Sequence, residues 1–206
     1  MARYRGAKCR LMRKVGMDLE SKSGVKPIND KCRFEQAPGK PAGRRGRGSD
    51  YCNQLMMKQR LRHYYEVTEK QFRNYYLRAD KASGSTGDNL LSYLEGRLDN
   101  IVYRLGLATT RSEARQMVRH GHISVNGQRV NIPSYRTNVG DEVAVISKFT
   151  KQERVVRAIE LSEQKDMVSW LSRNKGDFDG KITDHIDVAF FAEMFNVNLV
   201  IEFYSK

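Results

Sequence analysis

Residues 90–132 constrain the fold of this 206-residue chain more than any other stretch. Leu90, Leu91, Leu94, Leu98, Ile101, Val102 and Leu105 recur on one face of a 3.6-residue period, and Gly106 ends the run. The spacing predicts one long helix opened by Asp88. Thr110-Arg111-Ser112-Glu113 reads as a capping box, in which the first and last side chains satisfy free backbone donors. The short helix behind it packs through Ala114, Met117 and Val118 and stops at Gly121. Ile123 and Val125 then alternate, Asn126-Gly127 supplies the two positive-φ positions of a tight hairpin, and Val130 and Ile132 return until Pro133. Each of these pieces has an apolar side to bury, so the two helices must pack together beside the hairpin.

The flanks read as mainly helical. Ser49-Asp50 opens a helix through Leu55 and Arg60 to about Tyr65. Thr68-Glu69-Lys70-Gln71 is another capping box, followed by Phe72, Tyr75, Tyr76 and Ala79 at helical spacing, which makes these aromatics core residues. Tyr64 and Tyr65 interleave with Arg60, Arg62 and His63, so core packing and base stacking both stay open for them. A strand is expected over residues 142–146. A third capping box, Thr150-Lys151-Gln152-Glu153, leads a helix to about Gln164. Residues 167–171 fit a strand, residues 176–181 are turn-rich, and residues 196–204 fit either a strand or a short closing helix. The conformation of residues 184–200 is left open.

The formal charge of +13 calls for a polyanionic partner, because phosphates that release counterions supply most non-specific affinity. Residues 1–48 carry 14 Lys/Arg against 4 Asp/Glu, whereas residues 151–206 carry 8 against 10. A basic arm therefore faces the polyanion, and the acidic tail faces something else, a protein being the natural choice. The run Gly39-Lys40-Pro41-Ala42-Gly43-Arg44-Arg45-Gly46-Arg47-Gly48 suits an irregular arm whose arginines fork onto phosphates. No run of 18 apolar residues exists, so neither a membrane span nor a membrane partner is expected, and the chain reads as cytoplasmic. Cys9, Cys32 and Cys52 are too few and too scattered for a disulfide framework or a closed zinc site.

Arg111, Arg115 and Arg119 step by four along one helix and form a basic stripe expected on its exposed side. Arg97, Asn100 and Arg104 flank the apolar face of the preceding helix, and His120-Gly121-His122 and Asn126-Gly127 close the end of the pair. Cations held by packed helices suit phosphate and sugar contacts on structured RNA. The candidate RNA ligands in the arm are Arg3, Arg5, Arg10, Arg13, Lys14, Arg44, Arg45 and Arg47. Lys58, Arg60, Arg62 and Arg73 follow in the next segment. Arg97, Arg104, Arg111, Ser112, Arg115, Arg119, His120, His122, Asn126 and Arg129 complete the set. No catalytic group is assigned: Asp177, Asp179, Asp184 and Asp187 cluster in a turn-rich stretch and read as solvated.

Arg97-Leu98-Asp99, Arg104-Leu105-Gly106, Thr110-Arg111, Glu113-Ala114-Arg115-Gln116, Gly121-His122-Ile123 and Val125-Asn126-Gly127 resemble the RNA-binding module named after the fourth protein of the small ribosomal subunit. Ala2-Arg3-Tyr4-Arg5-Gly6, Ser49-Asp50-Tyr51, Lys58-Gln59-Arg60-Leu61-Arg62, Gln71-Phe72-Arg73 and the ending Glu202-Phe203-Tyr204-Ser205-Lys206 extend the likeness to the bacterial or organellar ribosomal family itself. The resemblance implies an α+β protein with a basic, irregular N-terminal arm over residues 1–48. A helical domain over 49–96, completed by 184–206, would carry an inserted helix-helix-antiparallel-hairpin module over 97–183. It implies a ribosomal constituent rather than an enzyme. Such a protein binds small-subunit ribosomal RNA first, nucleates assembly of the subunit body, touches the fifth small-subunit protein and affects decoding accuracy. The alternatives are an RNA-modifying enzyme bearing the same module and a messenger-RNA-binding repressor. Some relatives have a four-cysteine N-terminal zinc site; only Cys9 and Cys32 fall where it would lie, so no metal and no cofactor are expected.

Overall fold

A computed structural model describes residues 4, 6–22, 26–39 and 49–205. The candidates Arg3, Arg5, Arg44, Arg45 and Arg47 lie outside the described residues. In chain order come α1 (Lys8–Val15), α2 (Ile28–Lys31), α3 (Asp50–Tyr64), α4 (Glu69–Asp80), α5 (Thr86–Glu95), α6 (Leu98–Arg104) and α7 (Arg111–Arg119). They are followed by β1 (Ile123–Val125), β2 (Gln128–Arg129), β3 (Glu142–Val145), α8 (Ser147–Thr150) and α9 (Glu153–Ser162). The chain closes with β4 (Leu171–Ser172), β5 (Asp179–Ile182), α10 (Ala189–Phe195) and α11 (Val197–Ser205). The fold is α+β, and its described residues divide into two compact units. One takes the residues up to Leu91 and from Val188 onward; the other is Ser92–Asp187.

The first unit is helical. Ser49 Oγ accepts the Cys52 N–H and fixes the start of α3, as its position before Asp50 predicts. Leu61, Phe72, Tyr76, Ala79, Leu90, Leu91, Phe195 and Val200 are buried, and Tyr64 meets Phe195 edge to face at 5.0 Å. Tyr64 and Tyr65 are therefore core residues. Residues 196–204 form a helix: Asn196 turns left-handed (φ 43°) and α11 follows, with Val197 and Val200 buried. Burial overrides the strand propensity of that segment. The N-terminal region is not irregular throughout either. It contains α1 and α2, and Met12, Val15 and Leu19 are buried.

In the second unit α6 and α7 lie with a five-stranded antiparallel sheet of order β2-β1-β3-β5-β4. Leu98, Ile101, Leu105, Met117, Val118, Ile123, Val143, Val155 and Trp170 share its core. Asn126 (φ 50°) and Gly127 (φ 77°) join β1 to β2 as the hairpin signal predicts, with Val125 opposite Gln128. The return strand stops at Arg129 instead of running to Ile132, which is exposed. The turn-rich residues 176–181 contribute most of β5, and the strand expected over 167–171 is reduced to β4.

The long helix expected from Asp88 to Leu105 is two helices. Arg97 is extended (φ −74°, ψ 136°) between α5 and α6. A continuous helix would send the Leu98 and Asp99 N–H groups to the carbonyls of Leu94 and Glu95. Here they donate to Tyr135 and Pro133 at 2.9 and 3.1 Å, and the Thr137 N–H reaches the Gly96 carbonyl at 3.0 Å. The segment after Pro133 has taken the backbone partners the helix would have used. Apolar periodicity cannot register that competition.

Candidate nucleic-acid interface

The arginines of the second unit separate into an inner and an outer set. Arg97 grips Asp99 with two parallel hydrogen bonds, Nε to Oδ1 at 2.9 Å and Nη2 to Oδ2 at 2.7 Å. Arg115 Nη1 lies 3.7 Å from the same Asp99 oxygen. Asn100 Nδ2 donates to Glu95 Oε2 at 2.6 Å, Arg104 Nη2 donates to Glu95 Oε1 at 2.8 Å, and Arg111 Nε donates to Asn100 Oδ1 at 2.9 Å. The Arg111 guanidinium also lies 4.4 Å from the Tyr103 ring.

Arg97, Arg111 and Arg115 are buried, as are Glu95, Asp99 and Asn100, while Arg104 is half-buried. The expectation of an exposed stripe is thus corrected at Arg111 and Arg115, which clamp α7 onto α6. Arg119 alone of the three is exposed, and among the described residues it has no ion-pair partner. Ser112 is half-buried.

Both ends of α7 are fixed by their neighbours. Thr110 Oγ1 accepts the Glu113 N–H at 3.2 Å, and Glu113 Oε2 accepts the backbone N–H of Thr109 at 2.9 Å, one residue earlier than a regular box. Gly121 ends the helix at φ 68°, where a Cβ would strike the Arg129 guanidinium. Arg129 Nη2 donates to the His120 carbonyl at 3.0 Å.

His122 is buried rather than presented. It stacks on Phe149 at 3.8 Å, and Arg154 Nη2 donates to its Nδ1 at 2.8 Å. Burial first, then Arg154, His120 and Arg129, hold its pKa below the usual histidine range, so the ring is neutral and accepts. His120, Asn126 and Arg129 remain exposed at this end. Asn126 is braced by Nδ2 donating to Asp141 Oδ1 and Oδ1 accepting the Glu142 N–H, both at 2.9 Å. Arg154, absent from the sequence-derived set, joins them through space alone, 32 residues from His122.

In the first unit Lys58 is also internal: it pairs with Glu69 at 2.8 Å and lies 4.8 Å from the Phe203 ring. Arg60 Nε donates to the Val15 carbonyl at 2.7 Å, and Arg62 lies 3.3 Å from Glu69. Arg13 Nη2 donates to the Ala37 carbonyl at 3.2 Å. Arg10, Lys14 and Arg73 are exposed. Cys9 Sγ donates to the Lys31 carbonyl at 3.5 Å, while burial and the adjacent Cys9 thiol push the Cys32 pKa up. Two thiols do not make a tetrahedral site, and among the described residues no three His, Cys, Asp or Glu side chains come together to hold a metal.

Two packed helices and a hairpin with an Asn-Gly turn, edged by exposed cations, make up the compact module that the comparisons assign to an RNA-binding class. An S4 domain model matches residues 96–143, and a ribosomal protein S4/S9 N-terminal domain model matches residues 3–95. The small ribosomal subunit protein uS4 of Coxiella burnetii (strain CbuG_Q212) is 51% identical over 206 residues, covering 100% of both chains. The uS4 proteins of Dichelobacter nodosus and Chromobacterium violaceum are 50% and 48% identical, again over 100% of each chain. The chain belongs to the uS4 family of small-subunit ribosomal proteins. Among the described residues no helix is long and apolar enough to cross a membrane.

Proposed function

We propose that the chain is a structural constituent of the small ribosomal subunit. It binds the subunit's ribosomal RNA early and nucleates assembly of the subunit body. Through contact with the fifth small-subunit protein it contributes to decoding accuracy. Family membership over the whole length supports the ribosomal setting, and a cytoplasmic location goes with that reading. The observation that carries the RNA reading is the exposed group Arg119, His120 and Arg129, fixed where α7 meets the hairpin. Their backbone geometry is set before RNA arrives, so little ordering entropy is lost when phosphates dock.

Residues 97–183 act as the RNA-binding module, carried by a helical domain of residues 49–96 and 184–206. The buried arginines Arg97, Arg111 and Arg115 serve by holding its frame. Lys58 and His122 do the same in their own surroundings. Arg10, Lys14, Arg73, Arg119, His120, Asn126 and Arg129 make the contacts, and the basic residues 1–48 add further phosphate neutralisation. The protein works by binding alone, with no cofactor and no catalytic group.

The test is crosslinking in cells followed by RNA sequencing, with an Arg119→Gln/Arg129→Gln variant beside the parent. Reads concentrated on small-subunit ribosomal RNA, and depleted in the variant, are expected. Reads spread over messenger RNAs would overturn the reading.

A further inference from the structure

The unit Ser92–Asp187 contains a cavity of about 340 Å³ whose lining shares no residue with the cationic end of α7. Its apolar wall comes from Trp170, Ile182 and Ile186, and its polar edge includes Asn138 and His185. At its side stands Arg136, which the RNA-binding set derived from the sequence leaves out. Its guanidinium lies 4.8 Å from the Tyr93 ring centroid, and the side chain is exposed. Among the described residues it makes no side-chain hydrogen bond or ion pair.

The backbone beneath it is fixed. Arg136 forms an antiparallel bridge with Arg97, and both the N–H and the hydroxyl of Thr137 donate to the Gly96 carbonyl, at 3.0 and 3.1 Å. A planar cation is thus held over an aromatic ring without a direct ion pair among the described residues, and Asp184 is the one carboxylate on the cavity lining. That cation keeps a flat face and a row of N–H donors for a ligand.

The occupant follows from chemistry and size. Apolar walls, a planar guanidinium and an amide edge are what an unstacked nucleobase needs, stacking on one group and hydrogen-bonding through its rim. The volume lies at the low end of the roughly 300–1,000 Å³ of small-ligand pockets. A partner protein's helix, about 10–12 Å across with its side chains, asks for a long groove instead. We propose that this cavity receives a single unpaired nucleotide of the bound RNA, its base lying against the Arg136 guanidinium. The proposal rests on the RNA-binding reading above and adds to it a base-specific subsite separate from the phosphate-contacting rim.

Trp170 is the chain's one tryptophan, so its emission reads the cavity directly. The full-length protein is titrated with adenosine 5′-monophosphate, a single-stranded RNA pentamer and inorganic phosphate. The two nucleotide probes should change Trp170 emission saturably and phosphate should not. Arg136→Gln should weaken both by roughly tenfold, about the loss of one base-stacking contact. Arg136→Lys should fail to restore them, because a lysine keeps the charge and loses the plane. Silence of Trp170 towards both nucleotide probes would overturn the proposal, as would an equal response to phosphate or full rescue by lysine.

The same preparations are titrated with structured small-subunit RNA by filter retention. Retained RNA with a silent Trp170 removes the cavity proposal and leaves the general reading standing. Loss of RNA retention in the parent protein removes both. Finally, p-benzoylphenylalanine placed at position 139, on the cavity wall, should crosslink to RNA in cells; crosslinks to a protein would assign the cavity to a protein partner and overturn the proposal.

Discussion

A guanidinium stays charged at any pH a cell reaches, so an arginine that leaves water must take a counter-charge with it. Asp99 plays that part for Arg97 and Arg115, and all three are buried. Asp99→Asn should therefore cost about 3–5 kcal/mol, since it strands buried cations instead of removing a pair. Urea denaturation of the full chain measures it; a loss below about 1 kcal/mol would mean water reaches the cluster. Arg119→Gln should leave the same curve within about 0.5 kcal/mol while weakening RNA binding. Arg111, Arg115 and Arg119 look equivalent in the sequence because they step by four. Each step nevertheless turns about 40° around the helix, and two of them carry the stripe from the core to solvent. Sequence supplied the stripe and could not supply its edge, because Asp99 and Asn100 on the neighbouring helix set it. His63 offers a pH test. Burial first, then Arg62, Lys14 and Lys8, push its pKa down to about 4 from 6.5. The unfolded chain binds the extra proton between those values, so this contribution is complete above pH 6.5 and is lost as the pH falls towards 4. His63→Gln should flatten the fall in melting temperature across that window, and an unchanged slope would show the ring already protonated in the fold.

Among elements, capping separates what the sequence states from what the structure uses. Three Thr-x-x-Glu/Gln patterns are equally regular on paper. Only Thr110 caps, accepting the Glu113 N–H at 3.2 Å. The Thr68 side chain makes no cap bond; Glu69 beside it accepts from Lys58 and from the Tyr204 hydroxyl, each at 2.8 Å, and Gln71 Oε1 is buried instead of reaching back to the Thr68 backbone. Thr150 closes α8 instead of opening α9, its hydroxyl donating to the Ser147 carbonyl at 2.9 Å. Thr110→Ala should accordingly cost about 1 kcal/mol. Thr68→Ala and Thr150→Ala should each stay within about 0.5 kcal/mol, and thermal melts of the three variants rank them. Equal losses would mean that all three threonines cap in solution. The hairpin at Asn126-Gly127 was legible because a two-residue turn is a local event, settled by two positive φ angles. The break at Arg97 was not, since the groups that capture the Leu98 and Asp99 amides lie more than thirty residues away at Tyr135 and Pro133.

For the whole molecule, charge and packing make different claims on residues 1–48. The net charge of +10 in that segment argues for RNA, and deleting it looks like the direct test. Met12, Val15 and Leu19 forbid so simple an experiment: they are buried in the first unit, and Lys8 pairs with Glu66 at 2.5 Å. A truncation would remove core along with charge, so a weaker complex could be blamed on either. Replacing Arg44, Arg45 and Arg47 by Gln takes away three charges and leaves the buried residues in place. Each phosphate contact contributes roughly one to the slope of log affinity against log salt concentration. If all three arginines lie on RNA, the slope should fall by about three. The affinity difference from the parent should then be larger near 50 mM salt than near 200 mM, because counterion release favours the cations less as salt rises. Filter-binding titrations at several salt concentrations measure both quantities. An unchanged slope would put these arginines off the RNA and leave the anchored cations at the end of α7 to carry the contact.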